Sequence, residues 1–336
     1  MTLNDVAKEA NVAVSTVSNV LNGLTIVAPE TRARVLDAIQ KLGYVPNING
    51  RNLKARATKK IGLFVLSMKG EFFSVLAHAA FNICQQHGYE FHILLTRHHD
   101  IDSIYQAMLG KQFDGALVLN EELTAEVVEA LDKSRFPIVF VDRKYCGEKI
   151  SSVVFDSYHG GEVAARYLAE LGAKKIGFMH GFKDNFDNNE RYRAYRHVLS
   201  EFSLPYLPEY ELVGFYEEEA AMAAMNDFLR SRIPLPDAFF VANDYMAIGC
   251  IKALQENNIN IPEDVSIIGY DDIELARYFV PSLTTINSPA NELGRKAVEI
   301  LLGMVNGDAA GDIYTINGSL VVRSSCKRVN IDKFNS

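Results

Sequence analysis

Along the first 44 residues the apolar positions keep helical spacing. Leu3, Val6, Ala7 and Ala10 fall on one side of a helix, and Thr2 with Asp5 three positions on forms the capping box that starts it. Asn11-Val12 leaves room for a tight turn only. Val14, Val17, Val20 and Leu21 then draw a second apolar stripe, so two short helices must cross steeply. Pro29 suits the first turn of a third helix, in which Val35, Leu36, Ile39 and Leu42 face inward before Gly43 stops it. The expectation for residues 1–46 is an all-α head of helix-turn-helix type, followed by a hinge and linker over 47–59.

From Lys60 the pattern changes to short runs rich in Val, Ile, Leu and Phe that alternate with amphipathic helices. Ile61–Leu66, Glu90–Leu95, Ala116–Leu119 and Ile138–Val141 read as parallel strands, separated by helices near 72–87, 102–110 and 124–133. The pattern repeats with Lys175–Met179, Leu212–Phe215, Ala238–Val241 and Val265–Ile268, among helices near 158–171, 190–202, 217–230 and 244–257. Two doubly wound α/β lobes with parallel sheets are the economical arrangement for residues 60–336, and a ligand belongs outside the carboxyl ends of their strands. The first lobe is expected over about 60–157 and 288–316, the second over about 158–287 and 317–330, with three crossing strands as the hinge.

Charge sharpens this division. Residues 1–60 hold nine Lys/Arg against four Asp/Glu, whereas the whole chain has a formal net charge of −8. A cationic head on an anionic body points to a module that seeks a polyanion; a chance excess of basic residues on a solvated helical domain is the alternative. The opening MTLNDVAKEA lacks the basic and apolar regions of a secretory signal, and no apolar run approaches the ~20 residues that cross a bilayer. A cytoplasmic protein without a membrane partner is therefore expected.

Other chemistry finds little support. Cys84, Cys146, Cys250 and Cys326 stand far apart with no C-x-x-C pair and read as buried free thiols. Gly160-Gly161 precedes a helix, but neither G-x-G-x-x-G nor a P-loop pattern is present, which argues against a nucleotide cofactor. His98-His99-Asp100 reads as a loop rather than a metal site, because adjacent histidines point apart. Glu217-Glu218-Glu219 reads as an acidic helix start favoured by the helix dipole. No cofactor or metal is expected.

On the second helix Ser15, Thr16, Ser18 and Asn19 lie off the apolar stripe. Short polar side chains of this kind reach phosphates and base edges in a major groove, and Asn suits bidentate contact with adenine; a plain wet helix face is the alternative. The run TLNDVAKEANVAVSTVSNVLNG, followed by ETRARVLDAIQKLGYVPN and GRNLKARATKKIG, resembles the head of the LacI/GalR family of bacterial transcription regulators. The resemblance extends over essentially the whole chain, whose body is similar to a periplasmic sugar-binding protein. It implies that the second helix reads the major groove, with Thr2, Val14, Ser15, Thr16, Ser18, Asn19 and Asn22 as DNA contacts. It also implies a hinge helix that forms on the operator, in which Leu53 wedges into the minor groove while Arg51 and Lys54 meet phosphates. Three positions depart from the family pattern. Ala13 replaces a frequent capping Ser, a loss of about 1 kcal/mol; Asn19 replaces a frequent Arg; and Gly50 replaces the usual Ala of the hinge.

Polar residues also gather where strands end. Asp142 closes one strand, Asn243-Asp244 follow FFVA, and Asp271-Asp272 follow IIGY. Carboxylates and amides there pair with neighbouring sugar hydroxyls, and a planar Arg spans two of them. By the family resemblance Asp142, Arg191, Asn243 and Asp271 match ligand-contacting positions, and Phe72, Phe73 and Phe215 match an aromatic floor and wall suited to sugar C–H faces. Asp272 reads instead as a capping residue, one of Phe72 and Phe73 as helix core, and Arg191 has Asp187 and Glu190 as rival surface partners.

The chain is thus expected to be a homodimeric repressor of a carbohydrate-utilisation operon, bound to pseudo-palindromic double-stranded operator DNA and released by a carbohydrate effector. A corepressor-dependent regulator of purine type, or a catabolite regulator, is the alternative within the fold. The rival class is a sugar hydrolase using Asp142 and Asp271 as acid and base, against which stand the absent nucleophile motifs and the DNA-binding head. After the expected last strand, Leu320–Arg323, the tail CKRVNIDKFNS shows no heptad, so assembly should stop at a dimer.

Overall fold

A computed structural model describes residues 1–21, 26–44, 57–96, 101–110, 112–120, 123–141 and 143–327, in two units, Met1–Thr58 and Lys59–Ser336. Asn22, Gly50, Arg51, Leu53, Lys54, Asp142 and the His98-His99-Asp100 run lie outside the described residues.

The head consists of α1 (Leu3–Glu9), α2 (Val14–Leu21) and α3 (Pro29–Leu42). The capping box is formed: Asp5 N donates to Thr2 Oγ1 at 3.3 Å, and Thr2 N donates to Asp5 Oδ2 at 2.7 Å. Asn11, with φ +51, makes the turn into α2, and Gly43, with φ +57, ends α3 in the left-handed conformation. Val6, Ala7, Ala10, Val17, Val20, Val35, Ala38 and Tyr44 form the core. Leu36 departs from expectation: it is 51% exposed, because the face of α3 that carries Val35 and Ala38 is rotated away from it, with Ile39 and Leu42 packed at the margin.

The body begins with β1 (Lys60–Val65), α4 (Glu71–Gln86), β2 (Glu90–Leu95), α5 (Ile101–Leu109), β3 (Gly115–Leu119), α6 (Ala125–Lys133), β4 (Ile138–Phe140) and β5 (Ile150–Phe155). It continues with α7 (Ser157–Glu170), β6 (Ile176–His180), α8 (Phe186–Glu201), β7 (Glu211–Val213), α9 (Glu218–Arg230), β8 (Ala238–Val241), α10 (Asp244–Glu256), β9 (Ser266–Asp271), α11 (Glu274–Tyr278) and β10 (Thr284–Asn287). Then come α12 (Ala290–Asn306), β11 (Ile313–Ile316) and β12 (Ser319–Val321).

The strands form two six-stranded sheets, β11-β5-β4-β3-β1-β2 and β12-β10-β9-β8-β6-β7. Every neighbouring pair is parallel except β10 with β12. The chain therefore passes between sheets three times: after β5, after β10 and between β11 and β12. In both sheets the order reverses around the first strand of the lobe, which opens a crevice at the carboxyl ends.

β5 escaped the sequence reading because its ISSVVF run puts two serines in a wholly buried strand. Both are satisfied locally: Ser152 Oγ donates to Tyr145 O and accepts from Tyr145 N, each at 2.7 Å, and Ser151 Oγ accepts from Asp312 N at 3.1 Å. α8 starts a turn earlier than the periodicity suggests, since Asn185 caps it by accepting from Asn188 N. Gly160 and Gly161 lie inside α7 rather than ahead of it. Cys84, Cys250 and Cys326 are buried free thiols as expected, but Cys146 is exposed, on the loop between β4 and β5.

Candidate DNA interface and ligand site

On α2 the buried side is Val17 and Val20, and the outer side carries Val14, 41% exposed, and the exposed Ser15, with Thr16, Ser18 and Asn19 partly buried beside them. The helix starts on the Ala13 carbonyl, which accepts from Thr16 N at 2.9 Å and Val17 N at 3.3 Å. A methyl side chain at Ala13 offers no oxygen for a cap. Thr2, a candidate contact, has its hydroxyl engaged: besides accepting from Asp5 N it donates to Asp5 Oδ2 at 3.0 Å. The Thr2 backbone N–H first, and its hydroxyl second, hold the Asp5 carboxyl below its usual range. Lys41 Nζ meets Glu9 Oε1 at 2.5 Å and ties α3 to α1.

In the second lobe Arg191 projects from α8 into the interior and is 5% exposed, so neither Asp187 nor Glu190 draws it to the surface. Its Nη1 donates to Ala242 O at 2.6 Å, and the guanidinium carbon stands 3.6 Å from the centroid of the Tyr270 ring. Its Nε is buried without a hydrogen-bond partner among the described residues. Burial works against the charge, but Tyr270, Tyr216, Asp271 and Asp187 outweigh it and raise the pKa above its ordinary value. The glycine pair in α7 makes this packing possible. A Cβ on Gly160 would come within 2.3 Å of the Tyr270 hydroxyl, and one on Gly161 within 2.8 Å of Arg191 Cα.

Asp271 and Asp272 end β9 with φ +114 and +58, a left-handed pair rare for residues with side chains. Burial pushes the Asp271 carboxyl up to about 7; Asp187 adds to the shift and Arg191 opposes it. Asp272 is not the expected cap, since Ile273 holds the N-cap position of α11. Its carboxylate instead accepts from Arg323 Nη2 at 2.5 Å and Asn287 Nδ2 at 3.0 Å. Asn243 caps α10, its Oδ1 accepting from Met246 N at 2.9 Å while Nδ2 donates to Tyr216 O at 3.4 Å. Asp244 is fully buried, accepting from Thr285 Oγ1 at 2.6 Å and Ile273 N at 3.0 Å; burial first, and Asp271 second, push its pKa well up.

The aromatic candidates divide. Phe72 packs on the first-lobe core and against Phe155, ring centroids 6.1 Å apart, while Phe73 meets Phe72 edge-on at 5.5 Å. Phe215 lies beyond β7 rather than in it, is 49% exposed, and with Tyr216 forms a second left-handed pair, φ +53 and +60. The sequence reading missed its neighbour Phe182, 50% exposed, with ring centroids 5.7 Å apart. It also missed Tyr216, whose hydroxyl donates to Asn185 Oδ1 at 3.0 Å, and it named Asp187 only as a surface partner, whereas that carboxylate accepts from Ser157 Oγ at 2.8 Å. Only the glycine pair inside an amphipathic helix hinted at the close contact around Tyr270.

At the carboxyl ends of the first sheet, Asn120 Nδ2 donates to Thr96 Oγ1 at 3.1 Å, and Arg143 donates to Leu123 O and Asn120 O at 2.9 and 3.0 Å. Among the described residues no group of three or more His, Cys, Asp or Glu could hold a metal, and no helix is long and apolar enough to cross a membrane.

A small three-helix head with an exposed polar face on its second helix, joined to a two-lobed body with polar and aromatic groups at its strand ends, defines a DNA-binding regulator with a ligand-binding body. Residues 2–47 match the lacI family of bacterial regulatory proteins and residues 165–326 a periplasmic binding protein-like domain. The HTH-type transcriptional repressor PurR of Pasteurella multocida is 34% identical over 330 residues, covering 97% of this chain and 98% of that protein. PurR of Haemophilus influenzae is 36% identical, covering 98% and 99%. The lac repressor dimer bound to operator and the anti-inducer ONPF superposes with a TM-score of 0.81 at 26% identity, over 97% of this chain and 98% of that one. The CelR–cellobiose complex does so with 0.73 at 29%, over 97% and 99%. The chain belongs to the LacI family: it is a DNA-binding transcriptional repressor and not an enzyme.

Proposed function

We propose that this repressor binds a pseudo-palindromic operator as a cytoplasmic homodimer and is released by a carbohydrate held between the lobes of its body. The head is residues 1–46, and residues 47–59 are the hinge, with Leu53 as its minor-groove wedge between Arg51 and Lys54. Arg191 carries the effector reading. A charged, buried guanidinium beside the Asp271 carboxyl, its Nε without a partner among the described residues, is an arrangement that adjacent hydroxyls complete by bridging the guanidinium and the carboxyl. The aromatic faces of Phe215 and Phe182 suit the C–H side of a sugar ring, and the similar regulator CelR forms a complex with cellobiose. Asp142, Asn243, Phe72 and Phe73 complete the proposed site.

Dimerisation is supported by apolar side chains left open on both lobes: Phe81, Ile93 and Leu95 on the first, Leu275, Tyr278 and Val280 on the second. Sedimentation at micromolar concentration should give a dimer; a stable tetramer would refute this.

The same half-exposed aromatic pair favours a second reading, a corepressor with a planar ring of purine type. A thermal-shift screen with glucose, galactose, ribose and cellobiose against adenine, guanine and hypoxanthine separates the two, because a ligand of the folded state raises its melting point. The sugar reading expects a sugar to raise it and to weaken operator binding in a gel shift. A base that raises it and tightens operator binding establishes the second reading instead.

A further inference from the structure

The end of the β1–α4 connection, Lys69-Gly70, and the first residue of α4, Glu71, reach the other lobe. Lys69 Nζ lies 2.7 Å from Glu217 Oε1, and Glu217 holds the N-cap position of α9. Glu71 Oε2 accepts the backbone N–H of Glu274, the first residue of α11, at 2.9 Å. Between them Gly70 takes φ +101, a backbone that favours glycine, and a Cβ there would stand in ordinary contact, 3.9 Å, with the ring of Tyr245 of α10. Both sides of this clasp adjoin ligand candidates: Phe72 and Phe73 follow Glu71, and the left-handed Phe215-Tyr216 pair precedes Glu217.

We propose that the Lys69-Gly70-Glu71 segment is a latch that holds the two lobes closed over the ligand cleft. This rests on the cleft being the effector site. The Lys69 and Glu217 side chains are 74% and 48% exposed, so their pair shifts the closed population by only a few-fold and is screened by salt. That weakness suits an element that must open to admit a ligand. Glu71 adds a charge-assisted bond to a helix-start N–H that has no partner within its own helix. Both bonds leave one short turn, so releasing one loosens the other.

The test is amide hydrogen exchange at Glu274, followed in the full-length protein without ligand. Lys69 does not touch this amide, yet Lys69→Glu and Glu217→Lys should each speed its exchange about two- to fivefold. The double variant K69E/E217K, which restores the pair with charges exchanged, should return the rate to within about twofold of the parent. Glu71→Ala removes the acceptor and sets the upper limit. The latch is overturned if Glu71→Ala speeds exchange while either single reversal leaves it at the parental rate, or if the double variant stays as fast as the singles. An operator gel shift checks that each variant is folded. Should the exchange pattern hold while no sugar or base binds, the ligand assignment fails and the latch stands; a bound sugar with no exchange response sinks the latch alone.

Discussion

The head and the second lobe keep their proposed recognition groups in opposite places. On α2 they are short, neutral and outward, with Val14 and Ser15 exposed, while the buried Val17 and Val20 only hold the helix in place. In the second lobe they are ionisable and inward, with Arg191 5% exposed and Asp271 raised to about 7. The ligands account for this: DNA brings its own dense charge and is read from a surface, whereas a small molecule gains affinity only when it is surrounded. A head of this kind fails when its core is lost, and a cleft fails when one buried group is lost.

The most severe break is Val17→Asp, which puts a carboxylate at a fully buried position of a small core and should cost on the order of 3 kcal/mol or more. Specific operator binding should vanish in a gel shift while the calorimetric transition of the body stays at the parental temperature. If both transitions fell together, the two units would not be independent. Next in size is Arg191→Ala. Affinity for the sugar chosen by the screen should drop about tenfold to a hundredfold, as for a lost hydrogen bond to a charged group. Operator affinity without sugar should not change, giving a repressor that the sugar cannot release; unchanged sugar titration calorimetry would remove Arg191 from the site.

Asp271→Asn sharpens the contrast through pH. The folded state holds this carboxyl near 7, against an ordinary value of 3.8. Between roughly pH 4 and 7 the unfolded chain gives up a proton that the folded protein keeps, so this group lowers stability progressively as pH rises through that window, and adds nothing below it. The Asn variant should therefore melt near the parent at pH 4 and a few degrees above it at pH 7. Equal melting points at both would show that the carboxyl is not held in its neutral form. The mildest case is Thr2→Ala, expected to cost the head about 1 kcal/mol through the lost cap, with Thr2→Ser close to the parent. Loss of operator binding without loss of head stability would make Thr2 a DNA contact first and a cap second.

What could be read before folding was whatever depends on neighbours three or four positions away, or two. The capping box at Thr2 and Asp5, the stop at Gly43 and the stripes of α1 and α2 are of this kind. So are strands such as Ala238–Val241, whose limits match the reading. Periodicity misplaced Leu36 because neighbouring positions on a helix lie about 100° apart, and with Val35 and Ala38 centred on the core Leu36 falls to the outer side. It passed over β5 because buried serines look like a loop until their partners, Tyr145 and Asp312, are in place.

The amino-acid sequence by itself determined that there is a helical head with a polar reading face, that α/β lobes follow, and which residues stand at strand ends. Tertiary structure decided what those residues can do. Arg191 meets an acceptor 51 positions away at Ala242, and Asp272 is taken by Arg323, also 51 positions away, leaving Asp271 beside the guanidinium. Which of two adjacent aspartates pairs with Arg323 and which stands beside Arg191 depends on the strand order of the second sheet. That order is set by packing across the whole lobe, and the short-range spacing of residues does not contain it.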